Sequence, residues 1–367
     1  MQLSLAFLVA NALSLACVAT LSPAVSNSIR SCPDAARVPE VAMGQTLSTQ
    51  PNAPWGLART FSPRKLTGAS KATNYSYSYP EKAGEGVDIY VIDSGVQVKH
   101  IDFDGRINMT WQPKEWKHND TMGHGTHVAG VAAGKRWGIA KKANIISVKV
   151  MTTADKADPT DLIGGLNWVL KTAPKTGNPS IASISLGLRV SEQPRYREVE
   201  SAVNDLVAAG VHVVVAAANE NEPAGEWSPA RLDSVITVGA VSIEDAKWEK
   251  SNHGPEVDIW APGVHINSAV SGPTDFNSSF KNGTSQAAPH VSGVIALWLS
   301  LCHDISTEEM KARLLSWSQK DVISGLPPNN HNRLLHMPDF TDPMLCEAAP
   351  NYHSSGSQQI LLGAYST

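Results

Sequence analysis

Short runs of β-branched and other apolar residues recur along the chain, and segments with helical spacing separate them. The runs that predict buried strands are Val87–Ile92, Ile145–Val150, Ile181–Leu186, Val211–Ala217 and Val235–Val241. The segments at 160–172 and 195–209 predict helices, and Gly210 is a natural terminator of the second one. Near the end of the chain, Ser306 and Glu309 form a capping box, which predicts a helix through about Ser316.

Strands that alternate with helices indicate right-handed crossovers between parallel strands. The sequence therefore predicts an α/β fold with three layers, in which helices cover both faces of a mainly parallel, doubly wound sheet. In such a sheet, functional groups gather beyond the carboxyl ends of the strands.

The N-terminus carries the longest apolar run, which is uncharged and meets Ser22-Pro23-Ala24 at its end. This pattern predicts a secretory signal peptide over residues 1–21 and hence a secreted protein with no membrane contact after its removal. A retained anchor is the alternative, because about 20 apolar residues can span a bilayer.

The composition fits a soluble globular protein. Hydrophobic residues make up 42% of the chain and charged residues 17%, a mixture that excludes intrinsic disorder. The 30 basic and 34 acidic residues give a net charge of −4, and no basic run occurs, so we expect no nucleic-acid partner.

Cysteines and glycosylation triplets bear on the secretory route. Asn-x-Ser/Thr triplets, which predict glycosylation, begin at Asn74, Asn108, Asn119, Asn277 and Asn282. Removal of the signal peptide leaves Cys32, Cys302 and Cys346, an odd number. Cys302 and Cys346 can form a disulfide, although their spacing alone does not establish it.

Two segments place a polar side chain at the end of a structural element. Asp93 follows the predicted strand and precedes Gly95, a pattern that by itself is typical of a turn aspartate. His124 lies among glycines, three residues before His127. A zincin helix needs histidines four residues apart with a glutamate between them, so this pair predicts an exposed imidazole at a helix start instead.

A third segment places Ser285 after Gly283-Thr284 and before an alanine-rich helical pattern. Serine at that position is often a helix N-cap. It is also well placed as a nucleophile, because the free N–H groups and the positive end of the helix stabilise an oxyanion.

Together these residues follow the Asp…His…Ser order of subtilisin-type triads. With the segments at 52–59, 251–255 and 332–335, the sequence resembles the subtilisin-like serine proteases, in particular the proteinase K-like branch of fungal secreted enzymes. The resemblance implies a catalytic domain over residues 51–336 and a C-terminal tail over 337–367. Residues 22–50 are then a short pro-segment or linker without a counterpart of the family's full prodomain.

The resemblance implies a role for each site residue. Ser285 is the nucleophile, His124 its general base, and Asp93 the group that orients the imidazole. Asn219 supplies the oxyanion-hole amide; its other interpretation is a turn residue at a strand end. The residues that bind the extended substrate are Ser185, Leu186, Gly187, Ala217 and Ala218. The pocket for the residue before the scissile bond has walls at 185–188 and 216–219 that carry no carboxylate, so broad specificity with a preference there for apolar or aromatic residues is expected.

The resemblance also implies partners and a metal. No cofactor is needed for the chemistry, but structural calcium is possible, with Asp258 as its carboxylate and the carbonyls of Asp233 and Val235 completing part of the shell. The alternative is a buried acid held by backbone N–H groups. The expected partners are protein and peptide substrates and protease inhibitors, and the expected state is a monomer.

Several positions depart from the family pattern. Ala218 stands where relatives have glycine, and Gln286 stands where they have methionine; the glutamine is a good helix former, so we expect little structural cost. The substrate-channel stretch at 154–157 also differs from its usual glycine-containing sequence. An inactive or weak relative that acts as a secreted binding protein is therefore the alternative function. A non-protease serine hydrolase is disfavoured, because no Gly-x-Ser-x-Gly surrounds Ser285.

Overall fold

The computed structural model describes residues 46–152, 157–303, 305–342 and 345–346. Its strands are β1 Leu47–Ala53, β2 Tyr75–Pro80, β3 Asp88–Asp93, β4 Ile107–Trp111, β5 Asn144–Lys149, β6 Ser180–Ile184, β7 Leu188–Arg189, β8 His212–Ala216, β9 Trp227–Ser228, β10 Ile236–Val241, β11 Ile259–Pro262, β12 Ile266–Ala269, β13 Ser278–Lys281, β14 Gln319–Lys320 and β15 Arg333–Leu334. Its α-helices are α1 Trp55–Phe61, α2 His124–Ala133, α3 Pro159–Thr176, α4 Tyr196–Ala208, α5 Thr284–Leu299 and α6 Thr307–Trp317.

A sheet of nine strands forms the centre of the fold, in the order β14-β15-β11-β10-β8-β6-β3-β5-β4. All neighbouring strands in it run parallel except β14, which pairs antiparallel with β15 at one edge. The carboxyl ends of the parallel strands therefore meet at a single edge of the sheet.

Alternate side chains of each strand enter different layers. On β3, Ile89 and Val91 join the core formed with α2 and α5, whereas Tyr90 and Ile92 join the core formed with α3 and α4. Side chains alternate between the two faces of the sheet, and helices cover both faces, so the apolar residues of β3 are buried on both sides. The three-layer, mainly parallel α/β fold predicted from the sequence is confirmed.

The signals at the helix ends act as predicted. The helix α4 stops just before Gly210, whose φ of +82° is a conformation that glycine adopts without strain. The Ser306 side chain accepts a hydrogen bond from the backbone N–H of Glu309 at 3.1 Å and so caps the helix α6, while the Glu309 carboxylate pairs with Arg313. The strands β6 and β8 end earlier than predicted, at Ile184 and Ala216, which are the last of their residues to pair with a neighbouring strand.

The packed unit extends past both boundaries of the predicted domain 51–336. At its start β1 pairs antiparallel with β2, and at its end Met337, Phe340 and Leu345 are buried in the core. A disulfide joins Cys302 to Cys346, with their Cα atoms 5.1 Å apart. Part of the predicted tail is therefore an integral part of the fold.

Some sequence predictions fall elsewhere in the chain. The signal peptide at 1–21, the thiol Cys32 and residues 154–156 of the substrate channel lie outside the described residues. Within the described ranges, no helix combines the length and apolar character needed to cross a bilayer.

Candidate active site

Three neighbouring strands bring the predicted site residues to one edge of the sheet. Asp93 is the last residue of β3, Ser185 directly follows β6, and Ala217 directly follows β8. Because β8, β6 and β3 are parallel neighbours, their carboxyl ends lie side by side. The topology alone thus places residues 93, 185–187 and 217–219 around one crevice.

Asp93 and His124 form a close pair. The imidazole Nδ1 lies 2.8 Å from one carboxylate oxygen of Asp93 and 2.9 Å from the other. The Asp93 side chain is fully buried, and the His124 side chain is 21% exposed. A carboxylate only accepts hydrogen bonds, so Nδ1 carries the proton and Nε2 of a neutral ring is the acceptor.

Glycine at position 125 makes this approach possible. A Cβ there would clash with the carbonyl oxygen of Gly95 and would lie 3.0 Å from Asp93 Oδ1. Gly125 therefore reflects close packing of the first turn of α2 against the end of β3, whereas Gly123, before the helix, has a left-handed φ of +70°.

Asp120 holds the start of α2 and was not recognised from the sequence. Its Oδ1 accepts the N–H groups of Met122 and Gly123, both at 2.9 Å, and its Oδ2 accepts the N–H and hydroxyl of Thr126. The Ser94 hydroxyl donates to the same carboxylate at 2.9 Å. An acidic residue a few positions before a glycine-flanked helix start is the only local signal for this role.

Ser285 lies in the first turn of α5 and reaches the end of β6. Its Oγ donates to the carbonyl oxygen of Ser185 at 3.1 Å, and the Ser185 hydroxyl donates back to the carbonyl oxygen of Ser285 at 3.1 Å. In the described structure the Ser285 hydroxyl therefore bonds to Ser185 rather than to His124. The predicted acid–imidazole contact is present, whereas a hydrogen bond between serine and imidazole is not.

Asn219 is anchored through its side-chain oxygen. Its Oδ1 accepts both the N–H and the hydroxyl of Thr284, each at 2.9 Å. A backbone N–H only donates, so this contact fixes which amide atom is the oxygen. The Nδ2 of Asn219 has no hydrogen-bond partner among the described residues and remains free to bind an anion.

Asn252 fixes the loop that carries Asn219. Its Oδ1 accepts the N–H groups of Glu220 and Glu222 at 2.9 and 3.1 Å, and its own N–H donates to the Ala218 carbonyl at 3.0 Å. These three bonds give a physical reason for Asn252 in the 251–255 segment.

The two walls of the predicted substrate pocket meet at Gly187 and Ala218. A Cβ built on Gly187 would lie 3.9 Å from the Ala218 methyl group, and Ala218 has a φ of +78°. Just outside the walls, the Glu220 carboxylate accepts the Asn219 N–H at 2.6 Å, and burial raises its pKa. The walls themselves carry no carboxylate, but Glu220, the residue that follows the wall 216–219, does.

The second histidine of α2 has a separate environment. His127 Nε2 lies 3.0 Å from the Ile266 carbonyl and 3.1 Å from the Ser279 carbonyl, and burial lowers its pKa to about 3. It is therefore neutral and structural. Nearby, burial lowers the pKa of Lys281, while the carboxylates of Asp120 and Asp93 act in the opposite direction.

The three oxygens expected to bind calcium converge on a lysine. Lys311 Nζ lies 2.8 Å from Asp258 Oδ1 and donates to the carbonyls of Asp233 and Val235 at 2.9 and 2.7 Å. A divalent cation cannot share these oxygens with an ammonium group, because the two charges repel. The residues present thus do not fit calcium at this position, and the sequence offered no local signal for Lys311.

Comparison with known proteins identifies the family of the chain. The sequence profile of the Subtilase family matches residues 84–334. The chain is 37% identical over 332 residues to the subtilisin-like serine protease Pen ch 18 of Penicillium rubens, covering 84% of this chain and 65% of that protein. It is 36% identical over 335 residues to subtilisin-like protease 8 of Trichophyton verrucosum, covering 84% of this chain and 66% of that protein.

A solved structure matches the fold. The crystal structure of a cold adapted subtilisin-like serine proteinase superposes with a TM-score of 0.69 and 34% sequence identity, covering 78% of this chain and 99% of that one. The chain spans about two thirds of the length of the fungal relatives (65% and 66%). The profile match and the structural match together show that the chain belongs to the subtilase family of serine proteases.

Proposed function

We propose that this chain is a serine endopeptidase with Asp93, His124 and Ser285 as its triad. The observation that carries the proposal is the contact of both Asp93 carboxylate oxygens with His124 Nδ1, at 2.8 and 2.9 Å. That contact holds the imidazole in the tautomer whose Nε2 accepts a proton, which a hydroxyl nucleophile requires of its base.

The proposed reaction forms and then hydrolyses an acyl-enzyme. Ser285 Oγ bonds to the scissile carbonyl carbon while its proton passes to His124 Nε2. The C–N bond then breaks, and His124 returns the proton to the leaving amine. Water repeats the sequence on the ester, which releases the carboxylic acid product and restores the hydroxyl. Ser285 first turns from the Ser185 carbonyl toward His124, by a rotation between staggered χ1 positions.

Two donors support stabilisation of the tetrahedral oxyanion. One is the free Nδ2 of Asn219, and the other is the N–H of Ser285 in the first turn of α5, where backbone N–H groups lack intrahelical partners. The Thr284 contacts hold the Asn219 amide before substrate arrives, so little reorganisation is needed during the reaction.

For the substrate, we propose an extended peptide that pairs with the backbone of residues 185–187. The side chain before the scissile bond then enters between Gly187 and Ala218, which favours apolar and aromatic groups. On a peptide panel that varies this position, kcat/KM should be higher for Leu and Phe than for Lys or Glu. Cleavage restricted to basic residues would contradict this specificity.

A catalytically weak relative that binds proteins is the second candidate. The observation in its favour is the Ser285 hydroxyl, which donates to Ser185 rather than to His124. In that case the chain would bind protease inhibitors or extended peptides without cleaving them.

Secretion is proposed on independent grounds. The disulfide between Cys302 and Cys346 is typical of an oxidising compartment, and Asn74, Asn108 and Asn119 are exposed as glycosylation requires. We propose a secreted, monomeric enzyme with a signal peptide at 1–21 and a catalytic unit that includes residues 51–336. Mass spectrometry of the secreted protein tests the termini and the glycans together.

Casein hydrolysis separates the two candidate functions. The wild type should cleave casein, a serine-directed covalent inhibitor should stop the cleavage, and Ser285→Ala should be inactive while keeping its fold by circular dichroism. Tight binding of a peptide inhibitor without casein cleavage by the wild type would instead support the binding protein.

A further inference from the structure

We propose that the ammonium group of Lys311 is a built-in cation that takes the place of calcium at the amino edge of the central sheet. Val235 directly precedes β10, and Asp258 directly precedes the parallel neighbour β11. The site therefore lies at the edge of the sheet opposite Asp93 and is independent of the proposed reaction.

The contacts match what an ammonium group requires. Lys311 Nζ has three N–H donors, and three acceptors surround it: Asp258 Oδ1 at 2.8 Å, the Asp233 carbonyl at 2.9 Å and the Val235 carbonyl at 2.7 Å. The second Asp258 oxygen accepts the N–H of Thr237 at 2.9 Å. Each donor and each carboxylate oxygen is thus paired, within the distances of charge-assisted hydrogen bonds.

The burial of Lys311 and Asp258 explains why a cation is needed at this point. The Lys311 side chain is 22% exposed and that of Asp258 is 14% exposed. Two carbonyl oxygens and a carboxylate that converge in so little solvent need a positive charge between them. Calcium would supply it with six to eight oxygens at about 2.3–2.6 Å, but Lys311 already occupies the common point of these three.

A tethered cation changes how stability depends on the solution. An ion that binds the folded state stabilises it according to its free concentration. Lys311 is covalently part of α6, so the junction between the loop before β10, the start of β11 and α6 should keep its stability without calcium.

The test compares Lys311→Ala with Lys250→Ala, a matched control at an exposed lysine, in a Ser285→Ala background that prevents self-cleavage. Melting temperatures are measured in excess EDTA and in millimolar calcium. In the background protein and the control, we expect calcium to change the melting temperature by less than about 1 °C. In Lys311→Ala, the melting temperature should fall in EDTA, and calcium should raise it by about 2 °C or more beyond the background response.

Either of two results would overturn the proposal. One is a calcium response of the background protein as large as that of Lys311→Ala, and the other is a Lys311→Ala protein that calcium does not stabilise beyond the background. If Lys311→Ala does not fold, Lys311→Met keeps the alkyl packing and takes its place.

Asp258→Asn provides a second measurement with Lys311 retained. If Asp258 pairs with Lys311 and not with calcium, Asp258→Asn should lower the melting temperature equally in EDTA and in calcium. Destabilisation that occurs in calcium alone would show that Asp258 binds the metal and would contradict the proposal.

Discussion

Ala218 carries a methyl group where the backbone is left-handed, with φ of +78°. That conformation costs a non-glycine residue about 1–2 kcal/mol, of which the greater unfolded-state entropy of glycine returns about 0.4–1 kcal/mol. We expect Ala218→Gly to raise the free energy of unfolding by about 0.5–1 kcal/mol, measured by urea denaturation in the Ser285→Ala background. Ala217→Gly, at a neighbouring buried position without positive φ, should be destabilising. Equal losses for both variants would show that Ala218 is not strained.

Gln286 shows how a correct propensity argument missed a cost. Gln286 lies in α5, as its helix propensity predicts. It is only 1% exposed, however, and its Nε2 has no hydrogen-bond partner among the described residues. A buried unpaired amide costs about 1–3 kcal/mol. Gln286→Met should therefore raise the free energy of unfolding by about 1–2 kcal/mol, whereas Gln286→Glu, of the same size, should lower it. A loss of stability in Gln286→Met would mean that the amide is paired in solution.

At the scale of elements, the start of α5 holds the side chain of Asn219, which we propose as an oxyanion donor, on the loop after β8. Thr284 is a positioning residue, because it acts through Asn219 Oδ1. Removing one hydrogen bond of about 1–1.5 kcal/mol should lower kcat about tenfold in Thr284→Val without changing KM, and Thr284→Ser should retain activity.

A double-mutant cycle distinguishes this role from general destabilisation. If Thr284 acts through Asn219, then Thr284→Val should have little further effect on kcat in an Asn219→Ala background. The same tenfold loss in both backgrounds would contradict the positioning role.

Most elements were predictable because each has a local signal. Continuous apolar runs mark β3 and β10, and Gly210 and Ser306 mark helix ends. The predictions fail where an apolar run outlasts the sheet, as at Leu186 beyond β6, since hydrophobicity does not tell where strand pairing stops.

The site was only partly predictable, for a different reason. Asp93, His124 and Ser285 were found because their order along the chain resembles that of subtilisin-type triads. The topology explains why Asp93 and Ser185, to which the Ser285 hydroxyl donates, lie at the same edge of the sheet. Lys311 was missed because its role depends on hydrogen bonds to residues 233, 235 and 258, in segments that share no periodicity with its own. Asp120 was missed although most of its hydrogen bonds are local, to residues 122, 123 and 126.

At the scale of the whole molecule, buried histidines set the response to acid. Burial lowers the pKa of His127 to about 3 and of His212 and His290 to about 4. Their folded pKa lies below the unfolded value of about 6.5, so the unfolded chain binds more protons between these values. Their stabilisation is complete above about pH 6.5 and is lost as the pH falls toward 4.

As the pH falls through that window, each of these histidines should lower the free energy of unfolding by about 1.4 kcal/mol per pH unit. His212 Nδ1 has no hydrogen-bond partner among the described residues, which makes His212→Leu a suitable variant. Urea unfolding in the Ser285→Ala background, repeated at several pH values, gives the free energy of unfolding as a function of pH. The slope of this plot should be shallower in His212→Leu by the contribution of one histidine. An unchanged slope would show that His212 is protonated in the folded protein.

The most direct test of the proposed triad is the rate at which a fluorophosphonate modifies Ser285, located by mass spectrometry of the digested protein. The folded wild type should acquire one adduct, on the peptide that contains Ser285, and His124→Ala should slow its formation by at least about 100-fold. Asn219→Ala should leave Ser285 as the modified residue. No adduct at Ser285 in the folded protein, or an unchanged rate in His124→Ala, would contradict the assignment of these residues to one catalytic unit.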